Sequence, residues 1–228
     1  MKYEHMTPAV FLERPNRFIA YADLNGIRVK CHVKNTGRCK ELLLPGTEII
    51  LQHHPDAALT GRSTDYSLIS VYKETAQGRI LINMDSQAPN QAAYEWLLSQ
   101  GITPRREVTW GSSRIDLAFE KEGRFSLMEV KGVTLEDHGM ARFPDAPTER
   151  GVKHLKELSR AAAEGVPSYT LFVIAMKGIY GFEANRATHP EFADALSQAA
   201  AAGVQILAYD CIITPDSMEI DKPVPVLL

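Results

Sequence analysis

The chain of 228 residues is 45% apolar and 23% charged, with a formal net charge of −3 at pH 7, which is ordinary for a soluble globular protein of one large or two small domains. No apolar run reaches the roughly 18 residues of a membrane span, and the N-terminal segment lacks the pattern of a signal peptide. The three cysteines include no CxxC pair, which argues against a disulfide framework. Together these features lead us to expect a cytoplasmic protein that does not associate with membranes.

The first 85 residues are predicted to form a small β-barrel. Turn signals such as NG at 25–26 and PG at 45–46 separate runs rich in β-branched and aromatic residues. The predicted strands lie within residues 10–24, 26–35, 47–53, 66–74 and 78–84. Five short strands without a long helix between them favour a barrel of the oligonucleotide-binding (OB) type.

Residues 86–228 have a different pattern, in which helices and strands alternate. A helix is predicted over residues 89–101, followed by strands within 106–110, 113–120 and 124–130 and by an irregular stretch over 132–147. Thr148 is a candidate N-cap for a second helix with an apolar stripe of Val152, Leu155, Leu158 and Ala162. Strands within 169–176 and 204–210 flank a third helix over 189–203, so we expect a mixed α/β domain.

The net charge conceals an asymmetry between the two ends of the chain. Residues 1–40 carry eight Lys and Arg against three Asp and Glu, whereas residues 183–228 carry two against seven. Because a local field can steer a polyanion, the N-terminal segment is a candidate anion-binding face. A solvated basic face is the alternative, and charge alone does not decide between them.

Three charged residues interrupt the otherwise apolar strands that flank the EKEG turn. Glu129 and Lys131 are two residues apart in a strand and therefore share a face, and Asp116 lies on the preceding strand. In an antiparallel hairpin the two carboxylates would be neighbours with Cβ atoms about 5 to 8 Å apart, close enough to hold one Mg²⁺. A lysine beside that ion would suit phosphodiester cleavage. The alternative is a solvated Glu–Lys pair of little energetic worth.

Further polar residues are candidates for the same site. Glu95 lies on the helix before the sheet, although an exposed helix glutamate is the simpler interpretation. Arg150 and His154 are four residues apart on the second helix and share a face, and Arg114 precedes Asp116 by two residues. The arginines would suit phosphate oxygens. His154 is either a proton carrier or a surface residue.

Five segments together resemble the bacterial sugar fermentation stimulation protein family. They are ERPNRF (13–18), HVKNTGRCKELL (32–43), RIDLAF (114–119), MEVKGVTL (128–135) and FPDAPTERGVKHLKEL (143–158). The resemblance implies an N-terminal OB-type barrel (1–85) that binds nucleic acid and a C-terminal domain (86–228) similar to the PD-(D/E)xK nucleases. It also implies sequence-nonspecific DNA binding and a regulatory role in sugar, particularly maltose, utilisation.

The resemblance to the nucleases implies roles for individual residues. Asp116 and Glu129 match the two metal-binding acidic positions, Lys131 matches the lysine, and Glu95 corresponds more weakly to a helix glutamate of some members. Arg114-Ile115 stands before Asp116, where the name of the motif has a proline. The implied cofactor is Mg²⁺ or Mn²⁺. Because nucleases that cut both DNA strands are often dimers, a homodimer is one possible state of this protein.

The resemblance also gives the basic residues of the barrel a meaning. Candidate DNA contacts there are Arg14, Arg17, His32, Lys34, Asn35, Arg38 and Lys40. Tyr21 and Phe18 could stack on bases, although for Phe18 we prefer the barrel core. Two other functions stay open: a DNA-binding regulatory module that keeps the nuclease fold without cleavage, and a sensor of a small sugar.

Overall fold

The computed structural model describes residues 1–35 and 37–228. Its N-terminal strands are β1 Met6–Glu13, β2 Ile19–Leu24, β3 Ile27–Val33, β4 Glu48–His53, β5 Tyr66–Thr75 and β6 Gly78–Asn83. The pairing order β3-β2-β1-β4-β5 is closed by a parallel pairing of β3 with β5, and β6 extends β5 as a hairpin. The predicted five-stranded OB-type barrel is therefore confirmed.

The strand boundaries differ from the prediction at the start of the barrel. Residues 10–24 were expected to form one strand, but β1 ends at Glu13 and β2 begins at Ile19. Pro15 has no N–H to donate to a ladder, and Asn16 Oδ1 accepts hydrogen bonds from the backbone N–H groups of Phe18 and Ile19. These local bonds stabilise a turn where the apolar pattern alone suggested continuity.

The C-terminal domain contains three helices and ten strands among the described residues. In chain order they are α1 Ala88–Ser99, β7 Arg105–Trp110, β8 Ser113–Lys121, β9 Arg124–Val133, β10 Leu135–Asp137, β11 Met140–Phe143, α2 Glu149–Ala163, β12 Ser168–Ile174, β13 Gly181–Ala184, α3 Pro190–Ala201, β14 Gln205–Thr214, β15 Ser217–Pro223 and β16 Val226–Leu227. The main sheet has the order β15-β14-β12-β9-β8-β7, with β9, β12 and β14 parallel and the edges antiparallel. The predicted mixed α/β domain is confirmed.

Alternation along β12 shows how the helices cover the two faces of this sheet. Leu171 and Val173 pack in the cluster that contains the apolar residues of α1, whereas Phe172 and Ile174 pack with Leu155 of α2 and with residues of α3. The helices therefore lie on opposite faces, with α1 on one and α2 and α3 on the other. As predicted, Thr148 caps α2, since its side chain accepts from the N–H of Gly151 at 3.1 Å.

The sequence patterns missed several short strands. The stretch expected to be irregular contains β10 and β11, which form a small second sheet with β13 and β16. These strands have two to four residues, and alternation over so few positions gives little signal. The seven-residue β15 was also missed.

The two domains pack against one another. One apolar cluster runs through both, and Lys73 of the barrel pairs with the buried Glu136 of the second domain at 2.5 Å. The N-terminal residues of the chain also contact the second domain. Lys2 forms an isolated β-bridge with Ser217, and the backbone N–H of Tyr3 donates to the carbonyl of Asp216, just before β15. Within the part of the chain that is described, no helix combines the length and apolar character needed to cross a membrane.

Candidate active site

Two carboxylates lie on adjacent strands of the main sheet. β8 and β9 are antiparallel with Leu117 opposite Met128, which brings Asp116 and Glu129 to neighbouring positions. Asp116 Oδ2 accepts from the backbone N–H of Val130 at 2.8 Å. The expected hairpin is therefore present, and the orientation of Asp116 is fixed by the backbone of the strand that carries Glu129.

Glu129 is only 2% exposed, and its two oxygens have different surroundings. Oε1 accepts from Lys131 Nζ at 2.5 Å and also contacts Nδ1 of His154. Oε2 is buried and has no hydrogen-bond partner among residues 1–35 and 37–228. Since a buried ionised oxygen without a partner is costly, this atom has the properties of a ligand position.

The two carboxyl groups differ in their electrostatics. Burial and then the charge of Glu129 raise the pKa of Asp116, although hydrogen bonds from Val130 and Asn90 oppose this. Burial also acts to raise the pKa of Glu129, but the hydrogen bond from His154 and the charge and hydrogen bond of Lys131 outweigh it, so its pKa lies below the ordinary value. Glu129 therefore keeps its charge, and Asp116 is left facing that charge.

Helix α2 supplies the remaining contact to Glu129. His154 is 3% exposed and accepts at Nε2 from Nε of Arg150 at 3.3 Å, which leaves Nδ1–H as the donor to Glu129. The spacing of Arg150 and His154 did place them on one face, as the sequence predicted. His154 is thus neither a surface residue nor close to solvent, and its contact holds the carboxylate in place.

Asn90 of α1 completes the surroundings of Asp116. Its side-chain amide donates to Asp116 Oδ1 at 2.9 Å. The described residues contain no group of three His, Cys, Asp or Glu side chains arranged to hold a metal. A hard cation at Asp116 and Glu129 would thus take its other ligands from water and substrate, as Mg²⁺ commonly does. The orphaned Oε2 of Glu129 and the paired carboxylates fit such an ion.

Glu95 does not join this group in the structure. Its carboxylate pairs with the amino group of Met1 at 2.6 Å and accepts from the side-chain amide of Gln91. It lines a separate pocket formed with Lys2 and β15, whereas Asp116 lines the cleft between the domains. The helix residue that contacts Asp116 is Asn90, five positions earlier. Our expectation that Glu95 takes part in the site is therefore corrected.

The predicted basic contacts of the barrel fall into two groups. Arg14 is used internally, because its guanidinium donates to four main-chain carbonyls of residues 17, 35, 37 and 38. Arg14 therefore organises this loop, and its contact with DNA stays a prediction. Asn35 is also engaged, since its Oδ1 accepts from the N–H of Gly37 at 2.8 Å.

By contrast, three predicted basic side chains of this loop region have no carboxylate within salt-bridge distance in the described part of the chain; they are Arg17, Arg38 and Lys40. Together with Arg14 they line one pocket. Phe18 beside them is 51% exposed, so its assignment to the core was wrong. The Tyr21 ring is covered by Arg28 at 4.2 Å.

A cleft between the domains links the barrel to Asp116. Its volume is about 620 Å³, and Lys34 and Gln52 line it from the barrel while Arg106 and Asp116 line it from the second domain. Lys34 pairs at 2.7 Å with Asp85, which is nearly buried. The cleft therefore connects one predicted barrel contact, Lys34, with Asp116.

Arg114 remains at the surface, where its side chain pairs with Glu107 at 3.5 Å. Several residues near the sites were not predicted from the sequence, namely Asn90, Asp85, His54 and Arg62. Asn90 directly follows the proline at the start of α1, and that position was interpreted only as a helix start. His54 and Arg62 lie in a loop without any motif, so no sequence signal indicated them.

Comparisons with known proteins agree with this architecture. A model described as the SfsA N-terminal OB domain matches residues 12–83, and one described as the sugar fermentation stimulation protein RE domain matches residues 87–217. A sugar fermentation stimulation protein homolog of Desulfitobacterium hafniense (strain Y51) is 51% identical over 223 residues, covering 96% of this chain and 95% of the relative. A homolog of Ruminiclostridium cellulolyticum is 47% identical over the full length of both chains.

A solved structure has the same fold. It is described as Pyrococcus furiosus SfsA in complex with Ca²⁺, and it superposes with a TM-score of 0.87 at 24% identity, covering 100% of this chain and 98% of that one. The matched domains and the full-length relatives lead to one conclusion. This chain belongs to the sugar fermentation stimulation protein family.

Proposed function

We propose that this protein binds DNA without sequence preference and cleaves phosphodiester bonds at Asp116 and Glu129 with Mg²⁺ or Mn²⁺. The single observation that carries the proposal is the buried Oε2 of Glu129, which lacks a partner among the described residues, next to the half-buried carboxylate of Asp116. Two such carboxylates are costly without a cation between them. Binding of an ion therefore explains the placement of Asp116 next to Glu129 better than a contribution to folding stability does.

The chemistry of the donors favours a hard divalent cation. Asp116 and Glu129 offer carboxylate oxygens, and the pair leaves room in the coordination shell for water and a phosphate oxygen. A bound ion of this kind polarises a phosphoryl oxygen and lowers the pKa of bound water. The solved relative from Pyrococcus furiosus was determined in complex with Ca²⁺, and this supports a divalent-cation site in the family.

The residues of the chain have distinct roles in the proposed reaction. Lys131 Nζ lies at Glu129 and is only partly accessible, so it can orient the attacking water and stabilise the negative charge that develops on phosphate. Asn90 and the N–H of Val130 orient Asp116. His154 donates to Glu129 and keeps the carboxylate fixed, and Arg150 is held beside it at the start of α2.

DNA binding is proposed from the distribution of basic side chains. Arg17, Arg38 and Lys40 are available for phosphate contacts, and Lys34 lines the cleft that also contains Asp116. In this proposal a strand bound to the barrel is directed by Lys34 toward Asp116. Since such contacts release counterions, affinity should fall steeply with salt.

The experiment uses labelled single- and double-stranded DNA with Mg²⁺, Mn²⁺ or EDTA. Asp116→Ala and Lys131→Ala are compared with the wild type, and Glu120→Gln serves as a control because Glu120 is an exposed acid on the same strand. We expect metal-dependent cutting in the wild type and the control only, with DNA affinity in EDTA equal in all four proteins. If the wild type binds DNA but cuts none of the substrates under any condition, the proposed cleavage is refuted, and the protein is a DNA-binding module without nuclease activity.

The names of the relatives refer to sugar fermentation. We therefore propose that DNA binding serves the regulation of sugar, particularly maltose, utilisation, rather than direct sensing of a sugar. Thermal denaturation with maltose separates these two, because a ligand of the folded state raises the melting temperature with concentration. We expect no shift with maltose and a shift with oligonucleotide; the reverse pattern would support the sugar sensor.

A further inference from the structure

Histidine and arginine side chains gather around one buried hydroxyl at the seam of the barrel. Ser67 on β5 is fully buried, and its Oγ lies 2.9 Å from Nε2 of His54. Arg62 donates to the same Oγ from Nη2, also at 2.9 Å. His32 on β3 is the register partner of Ser67 in the pairing that closes the barrel. Three basic groups from β3 and the loop after β4 therefore meet at one place.

This cluster lacks a neutralising acid. In the described ranges, no carboxylate lies within 4.0 Å of Arg62, His32 or His54, and the buried Nε of Arg62 has no hydrogen-bond acceptor. The carboxylate that affects His32 is Asp85, which is already paired with Lys34. Asp65 contributes only its main-chain carbonyl, which accepts from the N–H of His54. An arginine and two imidazole groups held together without an acid offer N–H donors and a positive charge to an anion.

The electrostatics of the two imidazoles agree with this geometry. Burial and then the charges of Arg62 and Lys34 lower the pKa of His32, and Asp85 opposes this weakly. Burial and the charges of Arg62 and Lys34 likewise lower the pKa of His54, with smaller effects of His53 and His32. Both rings are therefore biased toward the neutral form as long as no anion is present.

We propose that His32, His54 and Arg62 form a phosphate site for the backbone of a nucleic-acid strand. The proposal rests on the DNA binding proposed above and joins His32, a contact predicted from the sequence, with His54 and Arg62, which the sequence did not indicate. Lys34 lies beside the cluster and lines the cleft that contains Asp116, so a strand held here runs toward the carboxylate pair. The guanidinium fork and two imidazoles offer several N–H donors to phosphate oxygens.

Binding of a phosphate at this site is linked to protonation of His32 and His54. A phosphate beside His32 and His54 favours their charged forms and raises both pKa values from the lowered values of the free protein. Binding then takes up protons, so affinity increases as the pH falls through these values and decreases as the pH rises. We expect roughly three- to tenfold tighter binding at about pH 6 than at about pH 8, at constant ionic strength.

The test measures binding of a fluorescent single-stranded oligonucleotide in EDTA, so that cleavage plays no part. The variants are Arg62→Gln and the double substitution His32→Gln with His54→Gln. Arg79→Gln is the matched control, because Arg79 is a barrel arginine that pairs with Glu48. Melting temperatures of all proteins verify folding.

We expect the double histidine variant to lose the pH dependence. Arg62→Gln should bind roughly three- to tenfold more weakly, and its salt slope should decrease by about 0.7. Arg79→Gln should behave as the wild type.

The outcomes separate this inference from the proposed function. If the wild type binds no oligonucleotide at any pH, both fail. If it binds, but Arg62→Gln matches Arg79→Gln and the pH dependence survives in the double histidine variant, the phosphate site is refuted while DNA binding stands. Inorganic phosphate is tested alone by thermal denaturation. If it stabilises the wild type through Arg62 although no oligonucleotide binds, the site serves a small phosphate compound, and the strand anchor is overturned.

Discussion

Replacing Asp116 with asparagine should stabilise the metal-free protein while abolishing its response to metal. The substitution removes one of two neighbouring carboxylates, of which Asp116 is half-buried and Glu129 is buried, and it keeps the shape of the side chain. The amide oxygen can still accept from the N–H of Val130, and the new amide group faces Asn90, whose own amide can rotate to present its oxygen. The hydrogen bonds are therefore largely retained and the like-charge repulsion is lost.

The size of the effect follows from the separation of the charges. At roughly 5 Å, the usual cross-strand distance, two unit charges repel by about 3 kcal/mol at an effective dielectric constant of about 20. Lys131 and the hydrogen bonds to Asp116 already offset much of this repulsion. We therefore expect a net gain of about 1 kcal/mol, or about 2 to 4 °C in melting temperature for a chain of this size.

Metal should stabilise the wild type but have little effect on Asp116→Asn. A cation at about 100 times its dissociation constant stabilises the wild type by about 2.7 kcal/mol, which is about 5 to 11 °C. Asp116→Asn should show little of this shift. The assay is thermal denaturation with EDTA and with increasing Mg²⁺ or Mn²⁺, and Glu120→Gln on the same strand should follow the wild type.

The dependence on pH gives an independent check. The pKa of Asp116 is raised in the folded state, so its ionisation destabilises the fold, and this penalty disappears as the pH falls through the folded-state pKa. The advantage of Asp116→Asn over the wild type should therefore shrink in acid. A variant that melts several degrees below the wild type in EDTA and still responds fully to Mg²⁺ would refute the reasoning.

Three further predictions concern other residues. Arg14→Lys keeps the charge but cannot donate to four carbonyls, so the free energy of unfolding measured by denaturation should decrease by about 1 to 3 kcal/mol. The salt dependence of DNA binding should stay unchanged. An unchanged free energy of unfolding would contradict the internal role of Arg14. His154→Ala should weaken metal affinity, measured by calorimetry, by about 10- to 100-fold, and His154→Asn should recover part of it by restoring a donor to Glu129, whereas equal effects would argue against positioning. Glu95→Gln should leave DNA cleavage within about twofold of the wild type, because exposed substitutions away from a site have small effects, and loss of cutting would return Glu95 to the site.

Local rules were sufficient for much of this protein. Alternation and turn residues predicted the barrel and most of the long strands, and Thr148 marked the start of α2, because these features depend on neighbours in the chain. The same period of two placed Glu129 and Lys131 on one face, and the short turn between β8 and β9 brought Asp116 beside them. The carboxylate pair was therefore predictable from a stretch of sixteen residues, 116 to 131.

Contacts between distant segments were decided only by the tertiary structure. The charge of Arg14 suggested a DNA contact, but the loop that folds around it supplies carbonyls up to 24 positions away. His154 reaches Glu129 because α2 packs across the sheet, and Glu95 is drawn to the N-terminus that crosses from the barrel. A residue type states which bonds a side chain can make, whereas the packing of segments far apart in the chain decides which partners come within reach.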